Sequence, residues 1–216
     1  MYDLLLIIAS LIFITFMGYS LKILLMKRLE TKNRLFSTIM VIISFEVLIS
    51  VLGILNEFGV IDIQQKLIGG LKLNAFLSYV LLTLYLAFLV FIKKAVRWYT
   101  LPVISLIFIS QAQVLVESDF PMIIYSIIVS YPLAFILIYE GVKKRNSIAF
   151  GLGIYIFAYS ISILTLNIYL VLYFRGFASF LFLLGVKDFY TKYIFPEKDI
   201  EEKIKSTWIS KFVVRE

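Results

Sequence analysis

Two ionisable side chains stand inside apolar runs long enough to cross a bilayer. Glu46 lies near the middle of LFSTIMVIISFEVLISVLGIL, Leu35 to Leu55, and Arg175 near the middle of LNIYLVLYFRGFASFLFLLGV, Leu166 to Val186. An arginine at mid-membrane depth costs about 2.5–3.5 kcal/mol on insertion scales unless a counter-charge or water reaches it. Counted from the opposite ends of their segments, the two residues come to similar depth. The sequence therefore predicts that the two segments pack together and that Glu46 meets Arg175, directly or through one water. Such a pair can fix helix register as a buried ion pair, recognise a ligand, or handle a proton.

A second set of polar residues sits at comparable depth. Gln111 and Gln113 come late in the fourth apolar segment, Tyr125 and Ser126 early in the fifth, and Tyr159, Ser160 and Ser162 in the sixth. With Glu46 and Arg175 deeper, they are predicted to line a polar site open to the outside. The same side chains also serve to bond helices to one another, at about 0.6 kcal/mol each.

Much chemistry is excluded outright. The chain has no Cys and no His, which removes disulfides, thiolate nucleophiles, imidazole acid/base catalysis and the usual zinc ligands. It has no Walker motif, no GxGxxG, no serine-protease GxSG and no PQ dipeptide. No metal or cofactor is expected, and an enzyme is not the expectation.

The elements that must carry these residues follow from composition. Apolar residues make up 62% of the 216 and charged ones 16%, against roughly half and a quarter in soluble domains. Mean hydropathy is +0.98. The runs are continuous, not alternating, and about 20 apolar residues cross the hydrocarbon as a helix. Seven helices are predicted: Tyr2–Met26, Leu35–Leu55, Leu73–Ile92, Trp98–Val116, Phe120–Tyr139, Ser147 to about Leu166, and about Asn167 to Val186. The first opens on Asp3 without a basic leader and is too long for a cleaved signal, so it is read as a span. The break between the last two falls best at Asn167; a break at Arg175-Gly176 would instead put the arginine at the outer interface. Pro132 is expected to kink the fifth helix.

The net charge of +7 resides mostly in the gaps between apolar runs. KRLETKNR, KKAVR, GVKKRN and VKDFYTK all fall on one side, while Glu57, Asp62, Glu117 and Asp119 outnumber Lys66 and Lys72 on the other. The positive-inside rule then puts the N-terminus outside and the C-terminus in the cytoplasm, in a multi-pass protein of the cell membrane. That placement accounts for the charge without nucleic acid.

In topology alone this resembles the rhodopsin-like receptors and the seven-helix input regions of prokaryotic membrane receptors. The retinal chemistry of the former is not implied, because the seventh helix carries Arg175 where a Schiff-base lysine would stand. The chain divides into a transmembrane domain, residues 1–187, and a basic tail, 188–216. In the tail Ile200, Ile204, Trp208 and Phe212 recur every four residues among Lys203, Lys205 and Lys211, the pattern of an interfacial amphipathic helix.

The expected partners are the lipid bilayer and a cytoplasmic or membrane protein docked through the tail, Lys187 to Glu216. The functional expectation is a seven-helix sensor, receptor-like protein or complex subunit that couples an outward-facing polar pocket to a cytoplasmic partner. A small-solute transporter or channel is the alternative. It draws on a similarity between KRLETKNRLFSTIM and EGVKKRNSIAF, the turns after the first and fifth helices, which a 3+1+3 arrangement of parallel repeats would produce.

Overall fold

A computed structural model of the chain describes residues 4–65, 71–116, 118, 120–164 and 168–195. Seven main helices and one short one are present among them. They are α1 (Leu4–Thr31), α2 (Arg34–Glu57), α3 (Leu73–Ile92), α4 (Leu101–Val116), α5 (Phe120–Lys143), α6 (Ser147–Leu164), α7 (Ile168–Val186) and α8 (Phe189–Tyr193). Four of them, α1, α2, α3 and α5, are long and apolar enough to cross a bilayer. The apolar helices mark a membrane protein.

Most boundaries follow local chemistry. Asn33 caps α2 by accepting from the Leu35 N–H at 2.9 Å, and Asn146 caps α6 by accepting from Ile148 and Ala149 at 3.1 and 3.0 Å. Replacing Asn146 by Ala leaves those donors unmatched and should cost about 1 kcal/mol of stability; thermal unfolding in detergent measures it. α4 begins three residues later than the apolar run suggests, after a 3-10 turn at Val96–Trp98. A start at Trp98 would require an N–H at Pro102 to bond the Trp98 carbonyl, and proline has none; in the first turn the lack is harmless. α1 and α5 run beyond Met26 and Tyr139 because Lys, Arg, Leu and Glu are good helix formers where the chain leaves the apolar layer. α5 continues through Pro132 from Phe120 to Lys143, and Arg175 lies well inside α7.

In packing order, α1, α2, α3, α5, α6 and α7 form a closed ring, with α4 outside it against α3 and α5. Each of α1–α3 and α5–α7 is a run of consecutive neighbours, joined at α3–α5 and α7–α1. Aligning Asn33 with Asn146 places Phe13, Met17, Ser20 and Leu24 of α1 on Ser126, Ser130, Leu133 and Leu137 of α5. It also places Ile39, Ile42 and Ile43 of α2 on Leu152, Tyr155 and Ile156 of α6. All of these are buried. Each cap follows a basic residue in the left-handed region, Lys32 at φ 53° and Arg145 at φ 51°. The two turns share a design, and the helices on either side bury the same register.

Glycines set the spacing of α5, α6 and α7. A Cβ on Gly151 would come 2.9 Å from the Gly185 Cα, and one on Gly153 would come 2.8 Å from the Ile138 nitrogen. Two positions apart on a helix point to nearly opposite sides, so α6 is wedged between α7 and α5 by one glycine on each side.

The basic turns gather at one end of the bundle. Lys27 of α1 pairs with Asp188. Thr191 donates to the Arg145 carbonyl at 3.3 Å and the Tyr190 N–H to Ser147 Oγ at 3.1 Å. Lys93 lies within electrostatic reach of Glu140, which pairs with Lys144 at 2.5 Å. α8 is pinned there by Tyr190, whose hydroxyl donates to the Leu181 carbonyl at 2.9 Å and whose ring meets Phe150 edge-on. Burial pushes the Tyr190 phenol above its ordinary pKa, so it remains a donor. The amphipathic stripe Ile200, Ile204, Trp208 and Phe212 lies outside the described residues.

Candidate functional site: a polar cluster across the ring

Glu46 projects from the inner face of α2 and is buried, 1% exposed. Its two carboxylate oxygens accept from different helices: Tyr85 of α3 donates to Oε1 and Tyr155 of α6 to Oε2. Each oxygen of the carboxylate thus accepts one phenolic hydrogen bond. α2 and α6 are not neighbours in the ring, and it takes the length of the Tyr155 side chain to join them across its centre.

One turn along α2 from Glu46, Ser50 continues the chain of bonds. Its hydroxyl donates to the Glu46 carbonyl at 3.0 Å and accepts from Nη2 of Arg175 on α7 at 2.8 Å. The arginine guanidinium lies over the Phe13 ring of α1, 4.4 Å from its centroid, and 5.4 Å from that of Tyr159 on α6. Tyr159 stacks parallel to Tyr155, with centroids 6.2 Å apart. The aromatic faces offer the cation quadrupolar attraction where water is scarce.

The expected direct contact is therefore replaced by a relay. No ion pair links Glu46 and Arg175 among the described residues; the arginine reaches Ser50, and through Ser50 the backbone of Glu46. The reason is lateral. α7 packs against α1 and α6, so Arg175 approaches α2 across the ring and meets the side chain one turn from the carboxylate. The Nε of Arg175 is buried without a hydrogen-bond acceptor among the described residues.

Of the other residues singled out, Tyr159 belongs to this cluster. Tyr125 belongs to a separate one, its hydroxyl 2.7 Å from Ser105 Oγ of α4 and its ring tilted against Tyr79 of α3 at 6.3 Å. Gln113 is buried on α4, while Gln111 is exposed on the opposite side of that helix, outside the ring. Ser126 is buried on α5, and Ser160 bonds its own helix at the Ile156 carbonyl, 2.7 Å away. The glutamines thus do not join Glu46 and Arg175, because α4 stands behind α3 and α5.

Tyr85, Tyr155, Ser50 and Phe13 were not singled out from the sequence. Ser50 carried a usable signal, since four residues from Glu46 it shares its helix face. Tyr85 and Tyr155 are two among 14 tyrosines, and only the packing distinguishes them.

Chemically the cluster holds one acid, one guanidinium and two phenols joined by hydrogen bonds across α2, α3, α6 and α7, with the Tyr159 and Phe13 rings against the cation. No family model, no curated protein and no solved structure matches the chain.

Proposed function

We propose that this is a seven-span protein of the cell membrane, N-terminus outside and C-terminus cytoplasmic. In this reading the central cluster is coupled to a partner on the basic cytoplasmic face, as in a sensor, a receptor-like protein or a subunit of a membrane complex. The observation that carries it is the convergence of side chains from five helices on Glu46 and Arg175. A change of charge or contacts there acts on α2, α3, α6 and α7 together. The turn between α5 and α6 and the pinned α8 lie at the end of those same helices. The basic loops and the chain beyond Lys187 offer the docking surface, and the bilayer surrounds the rest.

Single cysteines test both parts, since the chain has none of its own. Ser118→Cys should react with an impermeant reagent from outside, and Lys144→Cys only from the cytoplasmic side. Adding Glu46→Gln should alter the labelling rate of Lys144→Cys. Labelling of Ser118→Cys from the cytoplasm alone overturns the orientation, and an unchanged Lys144→Cys rate overturns the coupling.

A small-solute transporter is the second reading, favoured by the shared burial register of α1 with α5 and α2 with α6. Glu46–Tyr155 and Ser50–Arg175 then bridge the two three-helix units at the depth where repeat-built transporters bind.

A further inference from the structure

Arg175 holds a full charge inside the bundle and has no carboxylate in contact among the described residues. Its opposite charge is Glu46, but the Glu46 oxygens accept from Tyr85 and Tyr155, and no ion pair joins them to the guanidinium among the described residues. Ser50 donates to a carbonyl and accepts from Nη2. Among the guanidinium donors, the Nε–H is buried and without an acceptor among the described residues, on the same edge as Nη2. That edge is the one on which a carboxylate binds arginine with two parallel hydrogen bonds. The guanidinium itself lies against the faces of Phe13 and Tyr159.

We propose that Arg175 anchors a binding site for a monocarboxylate anion with an apolar body, and that Glu46 takes up one proton as that anion binds. The inference names the ligand class of the cluster and rests on its proposed role only for the location of the site.

The proton follows from charge balance. With Glu46 ionised and Arg175 charged, the cluster is neutral. A ligand carboxylate would leave one uncompensated negative charge in a low-dielectric interior. Protonation of Glu46 removes it, and the ligand succeeds Glu46 as the counter-charge of the arginine. The carboxyl then donates to one tyrosine hydroxyl, which turns to accept, while the other tyrosine still donates; no hydrogen bond is lost. The proton comes from water, and no covalent bond of the ligand changes. The titratable groups facing Glu46 are Tyr85 of α3, Tyr155 and, beyond it, Tyr159 of α6, and Arg175 of α7. Among the described residues α1 and α5 set no charged group against it.

Carboxylates of this class have two sources, dissolved short-chain acids and fatty acids of the bilayer. An exposed apolar groove of about 310 Å³ lies between α1 and α7. Its lining includes Ile12 and Gly176, the chain neighbours of Phe13 and Arg175.

The test is calorimetric titration of the full-length protein in lipid nanodiscs with butyrate and, separately, with palmitate. Runs in buffers of different ionisation enthalpy count the protons taken up. One proton per bound anion is expected, with affinity falling about tenfold per pH unit above the ionisation of Glu46. Binding of butyrate assigns a dissolved acid; binding of palmitate alone assigns the bilayer. Glu46→Gln should bind the same anion with no proton uptake and no pH dependence, and Arg175→Lys should bind it more weakly. The double variant Glu46→Gln with Arg175→Met, which restores charge balance and with it the fold, should not bind. Binding by wild type without proton uptake overturns the proposal, and so does undiminished binding by the double variant or the absence of binding by either acid. If no acid binds but Glu46→Gln still alters labelling of Lys144→Cys, the ligand class falls and the coupling stands.

Discussion

Replacing Glu46 by Gln is expected to lower stability by several kcal/mol, on the order of 3–5, the usual loss when one partner of a buried charge pair is removed. The substitution conserves shape almost atom for atom, so the loss is electrostatic and hydrogen-bonded in origin. Arg175 keeps its charge while the nearest negative charge vanishes. Of the two tyrosines that donate to Glu46, one faces an amide nitrogen instead of an acceptor. Arg175→Met should be costly for the converse reason, leaving the Glu46 carboxylate without its counter-charge. The double variant removes both charges and should recover much of the combined loss. Because Ser50 stands between the two, the coupling is carried by the field across one helical turn and by the shared hydroxyl, not by contact. Ser50→Ala isolates the second component: a hydrogen-bond-sized cost of about 1 kcal/mol, with most of the Glu46–Arg175 coupling retained. Thermal unfolding in detergent across these variants decides the matter. Strictly additive losses for Glu46→Gln and Arg175→Met would show that the charges do not sense each other.

Gly185→Leu is expected to separate α6 from α7 and, with them, Tyr155 from Arg175. A Cβ at Gly185 would fall 2.8 Å from the Ser147 carbonyl oxygen and 2.9 Å from the Gly151 Cα, and both are backbone atoms that cannot rotate away. Overpacking of this kind costs about 1–3 kcal/mol in well-packed interiors. In a membrane bundle, where close backbone approach supplies much of the association energy, the upper end is expected. The same change at Gly18, which has open space around it, should cost little. Equal losses at Gly18 and Gly185 would mean that the α6–α7 contact does not hold the bundle.

Much of the architecture was legible in residue types alone. Continuous apolar runs admit only helices when the backbone has no water to bond, and asparagine and proline mark the helix starts. Five of the seven expected helices, α2, α3, α4, α6 and α7, therefore match the structure to within a turn, while α1 and α5 run on by five and four residues. α4 differs at its start, where the proline rule outweighs hydropathy. The expected turn at Asn167 lies outside the described residues, but the rival break at Arg175-Gly176 is overturned, because both residues lie inside α7.

The neighbours of each helix were not legible. Hydropathy gives depth along the membrane normal and says nothing about position around the ring, since lipid and the bundle interior are equally apolar. Depth alone brought Glu46 and Arg175 to nearly the same level, yet Arg175 binds Ser50, one turn along α2, while tyrosines from α3 and α6 hold the carboxylate. Depth likewise grouped Gln111 and Gln113 with them, although α4 lies outside. The tyrosines that hold Glu46 emerge only once α3 is set beside α2 and α6 across the ring from it. Close contacts at Gly141, Gly151, Gly153 and Gly185, where the missing side chains let backbones meet, hold α6 against α5 and α7. Charge and hydropathy thus determined what the chain inhabits and which side chains had to be answered; packing geometry decided which residues answer them.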